Sequence, residues 1–291
     1  MATLSQWVEG ARPRTLPAAL APVLAGTAVA VHLDGAHWGR ATLCFLVALA
    51  LQIGVNFAND YSDGVRGTDE ARVGPMRLVG SGAASPRSVK LAAFTCFGVA
   101  AVFGLAVVAL SGLWWLLAVG AAAIASAWFY TGGSHPYGYL GLGEVFVFIF
   151  FGIVAVCGTT LVQLGWVPAA SWAAAVGIGS LACAILVANN LRDIPTDRAV
   201  GKRTLATRLG DRGTRVFFTV LVAVAAVSVV VFAALTTWWA LIALLGLFVL
   251  VRGLGALLGG AQGRSLIGVL KATGLAELGL GLGLLVGCFM G

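Results

Sequence analysis

Residues 41–63 read ATLCFLVALALQIGVNFANDYSD. The apolar segment over 41–59 matches one bilayer crossing, which takes about 20 residues as a helix, and it runs without a break into Asn59, Asp60 and Asp63. A helix built for lipid thus ends in carboxylates that lipid will not solvate. The whole reading of the chain turns on that juncture.

Outward from this segment the composition is of one kind. The chain has 291 residues, 60% hydrophobic and 10% charged, with 40 glycines and a mean hydropathy of +0.98. Globular domains average about 45–50% apolar and about 25% charged residues, so a chain this poor in charge cannot cover its core with a wetted surface. Lipid is the main solvent. Apolar segments punctuated by Gly, Pro and charge fall at 14–32, 41–59, 88–110, 113–130, 141–163, 172–191, 214–235, 238–252 and 266–290. The expectation is an all-α, polytopic membrane bundle of about nine transmembrane helices, a single domain over 1–291, around a cavity open to the cytoplasmic side. The eighth segment is short and the first contains Pro17 and Pro22, so either can be broken or tilted. Residues 1–12 show no cleavable signal pattern. Cys44, Cys96, Cys157, Cys183 and Cys288 fall inside apolar runs, without metal-ligand spacing, and read as packing.

Orientation follows from the 18 basic residues, because cytoplasmic loops near the spans are enriched in Lys and Arg. With the N-terminus inside, only Arg40 lies outside, against 17 on the inner side. Trp38, Trp114, Trp115, Trp166, Trp172, Trp238 and Trp239 fall at the expected outer ends, as an interfacial aromatic belt does. A multi-pass protein of a bacterial plasma membrane is expected, with the N-terminus and the active site on the cytoplasmic side; fifteen Arg against three Lys, with abundant Ala, Gly and Val, fits a GC-rich bacterial genome. The +7 charge is gathered on the inner face, so no nucleic-acid partner is implied.

Two inner loops, 60–87 and 192–213, hold seven of the eleven acids: Asp60, Asp63, Asp69, Glu70, Asp193, Asp197 and Asp211. The first opens Asn56-Phe57-Ala58-Asn59-Asp60-Tyr61-Ser62-Asp63 and the second Asn189-Asn190-Leu191-Arg192-Asp193-Ile194-Pro195-Thr196-Asp197. Each has asparagines leaving an apolar helix and then carboxylates three or four apart, on a common helical face. The two resemble each other, which suggests a weak internal duplication that brings both acidic ends to one cavity. Something cationic must compensate the carboxylates. Mg²⁺ suits them, since it takes hard oxygen ligands and is usually held by one or two carboxylates plus substrate phosphates. Two separated pairs then fit a diphosphate bridged by two ions, with Arg66, Arg72, Arg77, Arg192, Lys202 and Arg203 able to complete an anion site. Taken singly, either motif reads equally well as helix caps and solvated loop charge. Both together, on one side and beside clustered arginine, favour the metal-diphosphate site.

At these residues the chain resembles the UbiA-type membrane prenyltransferases, whose two aspartate-rich motifs flank a Mg²⁺-diphosphate site. Their first motif is matched by Asn59, Asp60, Asp63 and Asp69, the last displaced by two residues, and their second by Asp193 and Asp197. The stretches ARPRTLPAALAPVLAGTA (11–28), NDYSDGVRGTD (59–69), YTGGSHPYGYLGLGEVFVFIFFG (130–152) and NNLRDIPTDRAVGKRTLATRLG (189–210) are similar to the 1,4-dihydroxy-2-naphthoate prenyltransferases of menaquinone synthesis. That resemblance implies transfer of a polyprenyl group from polyprenyl diphosphate to 1,4-dihydroxy-2-naphthoate, with loss of CO₂ and pyrophosphate, giving demethylmenaquinone, with Mg²⁺ as cofactor. Breaking an allylic bond to diphosphate leaves a carbocation, which a closed apolar cavity shields from water until the electron-rich ring attacks.

The roles expected on this reading are as follows. Asp60, Asp63, Asp193 and Asp197 hold Mg²⁺. Asn59, Arg66, Lys202 and Arg203 contact diphosphate or orient ligands, with Arg72, Arg77 and Arg192 in the same anion site. Asn56, Asn189 and Asn190 support them. Tyr130 and Tyr139, in the glycine-rich stretch 130–139, contact the aromatic substrate or anchor at the interface. Glu144 pairs with an inner arginine or touches a ligand, and His135 is incidental or assists deprotonation. Two other readings stay open: a prenyltransferase for another aromatic acceptor, such as 4-hydroxybenzoate or homogentisate, and a secondary transporter whose aspartates bind coupling cations. Transporter sites usually lie near the midplane on interrupted helices. Here the acids sit at helix ends beside arginine-rich loops.

Overall fold

The computed structural model describes residues 2–67 and 76–291. Within those residues all regular structure is helical. A short helix, α1 (Leu4–Gly10), leads through a turn at Pro13–Thr15 into α2 (Pro17–His32), and the chain bends by 44° between them. The break lies before Pro17, whose missing N–H costs nothing in a first helical turn. Then follow α3 (Trp38–Val65), α4 (Pro86–Ser111), α5 (Leu116–Phe129), α6 (Gly143–Leu164), α7 (Ala169–Ala199) and α8 (Leu205–Leu235). The chain ends in α9, a pair Trp238–Leu247 and Leu250–Leu258 bent by 49°, and α10 (Gly263–Met290).

Six of these helices are long and apolar enough to cross a membrane, or eight when each bent pair counts as one span. The sequence reading expects nine. The difference is α5, whose helix runs for 14 residues, or about 21 Å at a rise of 1.5 Å per residue. Hydrocarbon is about 30 Å thick. Gly112, at φ 73°, ends α4, and residues 113–115 form a turn in place of a first helical turn of α5. The seven tryptophans expected at one membrane face are all exposed. The five cysteines are all free, three of them buried.

Packing follows from small residues. Between α6 and α7, a Cβ on Gly152 would lie 2.8 Å from the Ala175 carbonyl and 2.9 Å from Gly179 Cα, so only glycine lets these backbones meet. Within α6, residues Phe148–Cys157 form a π-helical stretch, a form that often marks functional sites. α7 is the most enclosed span, with 78% of its apolar window buried against 28% for α4. It packs along α8, α6 and α10, and α10 packs along α2 and α9. α8 and α9 contribute nothing to the large cavity described next, so they act as an outer brace for the helices that line it.

Candidate functional site

A cavity of about 790 Å³ lies among α1, α2, α3, α4, α5, α6, α7 and α10. Its walls run from Lys202 and Asp197 at the charged end to Leu116 and Val162, close in sequence to Trp115 and Trp166. Most of the lining is apolar, with Val47, Leu51, Phe150, Phe151 and Val154 among it. Polar side chains gather at the end where α3 and α7 finish.

α3 delivers Asn56, Asn59 and Asp63 to this cavity, spaced as one helical face. α7 delivers Asn189, Asn190, Arg192, Asp193 and Asp197. The two corners meet through a lysine. Lys202 Nζ lies 3.5 Å from Asp63 Oδ1 and 4.0 Å from Asp197 Oδ1. It is brought there by the reversal after α7, where Gly201 takes φ 74° and the Lys202 amide donates to the Asp197 carbonyl at 2.8 Å. Only glycine adopts that backbone without strain.

Asp63 is further fixed by the Tyr139 hydroxyl, which donates to Oδ1 at 2.7 Å, and by Arg77 at 3.6 Å from Oδ2. The Tyr139 ring lies under Lys202, with Nζ 4.4 Å from its centroid. Burial works against the charge on Lys202, but Asp63, then Tyr139 and Asp197, outweigh it and raise its pKa above the ordinary 10.5. It is a cation throughout the neutral range. Burial foremost, and then the neighbouring Glu144, push the Tyr130 phenol far above its ordinary range, and burial does the same for Tyr137. Both phenols are neutral there, and the Tyr137 hydroxyl donates to the Ser126 carbonyl at 2.9 Å.

On the α7 side, Arg192 grips both oxygens of Asp193 at 2.7 Å and donates to Asn189 Oδ1 at 2.8 Å. Asn190 donates to Glu144 Oε1 at 3.1 Å. Glu144 is buried and does not line the cavity, and it meets an asparagine where the sequence leads to an arginine or a ligand. Thr131 donates to Asn59 Oδ1 at 2.8 Å, and Tyr130 and Tyr139 both line the cavity.

Other expected residues stand elsewhere. Asp60 is 1% exposed and absent from the cavity wall; its Oδ2 accepts from the Leu78 amide at 2.7 Å and its Oδ1 from the Val79 amide at 2.9 Å. In this geometry it serves the backbone of the 77–79 turn. Arg66 donates to the carbonyls of Thr131 and Gly133, and Arg203 is exposed; neither lines the cavity. His135 is exposed and bonded to Ser134. Arg72 and Asp69 lie outside the described residues. The sequence reading passed over Glu9, Arg12, Arg14, Gln52 and Lys271, all of which line the cavity. For Gln52 the signal was an amide inside an apolar run; for Lys271, that it is one of three lysines in the chain.

Among the described residues no three Asp, Glu, His or Cys side chains converge closely enough to hold a metal by themselves. Asp63, Asp193 and Asp197 supply hard oxygens facing a common space, the donor set of a Mg²⁺ that takes its remaining oxygens from water and a phosphorylated ligand. The residues fit such an ion.

The sequence profile of the UbiA prenyltransferase family matches residues 19–263. The chain belongs to the UbiA prenyltransferase family. Its relatives within that family include the 1,4-dihydroxy-2-naphthoate octaprenyltransferase of Mycobacterium tuberculosis, 55% identical over 278 residues, covering 96% of this chain and 94% of the relative. The enzyme of the same name from Escherichia coli is 40% identical, over 72% of this chain and 70% of its own. Among solved structures, the apo UbiA homolog from Aeropyrum pernix superposes with a TM-score of 0.69 at 16% identity, covering 100% of this chain and 99% of that one. The UbiA homolog from Archaeoglobus fulgidus bound to GPP and Mg²⁺ gives a TM-score of 0.65 at 14% identity, covering 97% of this chain and 99% of that one. At such identities the two structures establish the shared helical fold of the UbiA family.

Proposed function

We propose that this chain is a Mg²⁺-dependent membrane prenyltransferase that moves a polyprenyl group from polyprenyl diphosphate to 1,4-dihydroxy-2-naphthoate, releasing CO₂ and pyrophosphate and giving demethylmenaquinone. One observation carries the reading: Lys202 joins the carboxylates of Asp63 and Asp197, from the two acidic corners, at the head of a long apolar cavity. A diphosphate with a hydrocarbon tail has that division of polarity. The relatives named for the naphthoate reaction support the choice of acceptor.

Asp63, Asp193 and Asp197 hold Mg²⁺, and when bound the ion neutralises charge that develops on the departing diphosphate. Lys202 and Arg77 contact the diphosphate as cations, while Arg192 keeps both oxygens of Asp193 oriented. Tyr139 holds Asp63 in place. Asn59, Asn189 and Asn190 support the two corners through Thr131, Arg192 and Glu144. Asp60 positions the turn that carries Arg77, and Arg66 ties the end of α3 to the 131–133 loop. The apolar wall from Leu51 to Val162 takes the tail and excludes water. The chain acts as one domain in a bacterial plasma membrane, with the charged end cytoplasmic, as the 17-to-1 division of basic residues favours.

Purified protein incubated with Mg²⁺, a polyprenyl diphosphate and 1,4-dihydroxy-2-naphthoate is expected to release CO₂ and form the prenylated naphthoquinol, and to stop when the metal is chelated. Product with 4-hydroxybenzoate and none with the naphthoate would reassign the acceptor.

A further inference from the structure

Arg40 is the one basic residue that the sequence places apart from the other 17. It stands near the start of α3, 23 residues before Asp63, or about 35 Å along the axis at 1.5 Å per residue. That is comparable with the roughly 30 Å of the hydrocarbon, so one helix carries a carboxylate of the charged end and, at its opposite end, a lone arginine. The guanidinium is engaged on both sides. Nη1 donates to the Val162 carbonyl at 2.8 Å and Nη2 to the Leu110 carbonyl at 2.8 Å. These carbonyls lie in the last turns of α6 and α4, where a helix has no amide of its own left to donate. Two diverging donors on one planar group meet that need, and the charge faces the negative ends of two helix dipoles.

The bonds surround the far end of the cavity. Cys44, one turn beyond Arg40 on α3, lines it, as do Val108, two residues before Leu110 on α4, and Val162 itself. Val108 and Val162 are each 3% exposed, so the wall closes there instead of opening to water. Gln163 adds a second tie: its Oε1 accepts from the His37 amide at 3.1 Å and its Nε2 donates to the Thr27 hydroxyl at 3.1 Å. The ends of α2, α3, α4 and α6 are thus joined by directional bonds around an apolar end wall. Apolar contacts, which are non-directional, do not fix such a closure alone.

We propose that Arg40 is a positioning residue that holds this end of the cavity closed, and that the closed end sets how long an isoprenoid tail the site accepts. The proposal rests on the prenyl transfer proposed above and adds a basis for selection among its donors. Arg40 does not touch the tail. It fixes the helices whose Cys44, Val108 and Val162 meet the tail's end. Each further isoprenoid unit laid along the wall buries more apolar surface and is bound more tightly. Once the tail reaches the end wall, a longer one must bend or push packed helices apart.

The test compares kcat/KM over a series of all-trans prenyl diphosphates of two to ten units, on the purified full chain with Mg²⁺ and saturating 1,4-dihydroxy-2-naphthoate. With Arg40 in place, kcat/KM should climb with length and then break. In Arg40→Met, which keeps an apolar chain and removes every donor, tails beyond the break should regain about tenfold relative to those below it. Arg40→Lys, which has the charge without the fork, should fall between the two. Loss of stability alone lowers all lengths together and leaves the break in place, so the length profile separates the two effects. A readout free of turnover is the labelling of Cys44 by a small membrane-impermeant thiol reagent, applied to sealed vesicles from the face that bears Trp38 and Trp166 and followed by peptide mass spectrometry. It should run about tenfold faster in Arg40→Met. The proposal is overturned by a profile without a break, by a break that Arg40→Met leaves unmoved, or by an unchanged labelling rate. If the unaltered protein forms no product from any prenyl diphosphate, the proposed reaction fails and the role in tail selection with it, while the labelling still decides whether Arg40 closes the cavity.

Discussion

The ends of α3 and α7 share one sequence pattern, asparagines followed by two aspartates, yet their side chains are used differently. At the end of α7 both aspartates line the cavity, Asp193 held by Arg192 and Asp197 near Lys202. At the end of α3 only Asp63 does so. Asp60 turns the other way and takes two backbone amides of the 77–79 turn. The spacing explains the split. Steps of four on α7 and of three on α3 place each pair broadly on one face, but the α3 face is shared between a cavity on one side and a returning loop on the other. A motif therefore specifies carboxylates near a site, and the packing around it specifies which of them the site receives.

The strongest way to break this comparison is to neutralise one carboxylate at each corner. Asp63→Asn and Asp197→Asn should each lower turnover by about a hundredfold or more, since each removes a carboxylate of the proposed Mg²⁺ site; near-normal turnover in either would dissolve the paired-corner site. Removing the cation between them comes next. Lys202→Met is expected to raise KM for the prenyl diphosphate by about tenfold, with Lys202→Arg recovering part of it, because arginine keeps the charge in a different shape. An unchanged KM would mean that the lysine serves only to hold the corners together.

Asp60→Asn sharpens the contrast within α3. An asparagine offers one acceptor oxygen where the carboxylate offers two, so one backbone amide of the turn is orphaned, at about 1–3 kcal/mol. Thermal stability should fall, and the Mg²⁺ concentration for half-maximal activity should stay where it is. A large shift in that concentration would show Asp60 to be a metal ligand after all, and the two corners to be equivalent. The smallest effect belongs to Gly201→Ala, which must hold an alanine at φ 74° at a cost of about 1–2 kcal/mol. It should weaken prenyl diphosphate binding modestly by loosening the approach of Lys202, and a variant with full activity and unchanged stability would remove the turn from the account.

Much of this was legible before any fold was known. The apolar runs, the belt of Trp38, Trp114, Trp166 and their companions, and the crowding of acids and arginines into two loops follow from solvation, which acts on each residue according to its own chemistry. The residues that stand away from the cavity wall share one feature. Arg66, Arg203 and Asp60 are charged residues beside the motifs, and nothing in a sequence tells a charge that faces a ligand from one that faces a carbonyl or an amide. Gln52 sits four residues before Asn56 on the helical face that also carries Asn59 and Asp63, a spacing that marks it for the cavity, whereas Lys271 stands alone in its apolar run without such a signal. Glu144, for which the sequence leaves an arginine or a ligand as partner, meets Asn190, 46 residues away in the chain.

The sequence by itself determined that this chain lives in lipid as helices and that its charge collects where two of them end, because the cost of placing each residue type in hydrocarbon is a property of that residue. Only the tertiary structure decided that Lys202 stands between Asp63 and Asp197, that Asp60 accepts from the Leu78 and Val79 amides, and that Glu144 meets Asn190. Those are matters of direction and distance between segments far apart in the chain, and they exist only once the helices have packed.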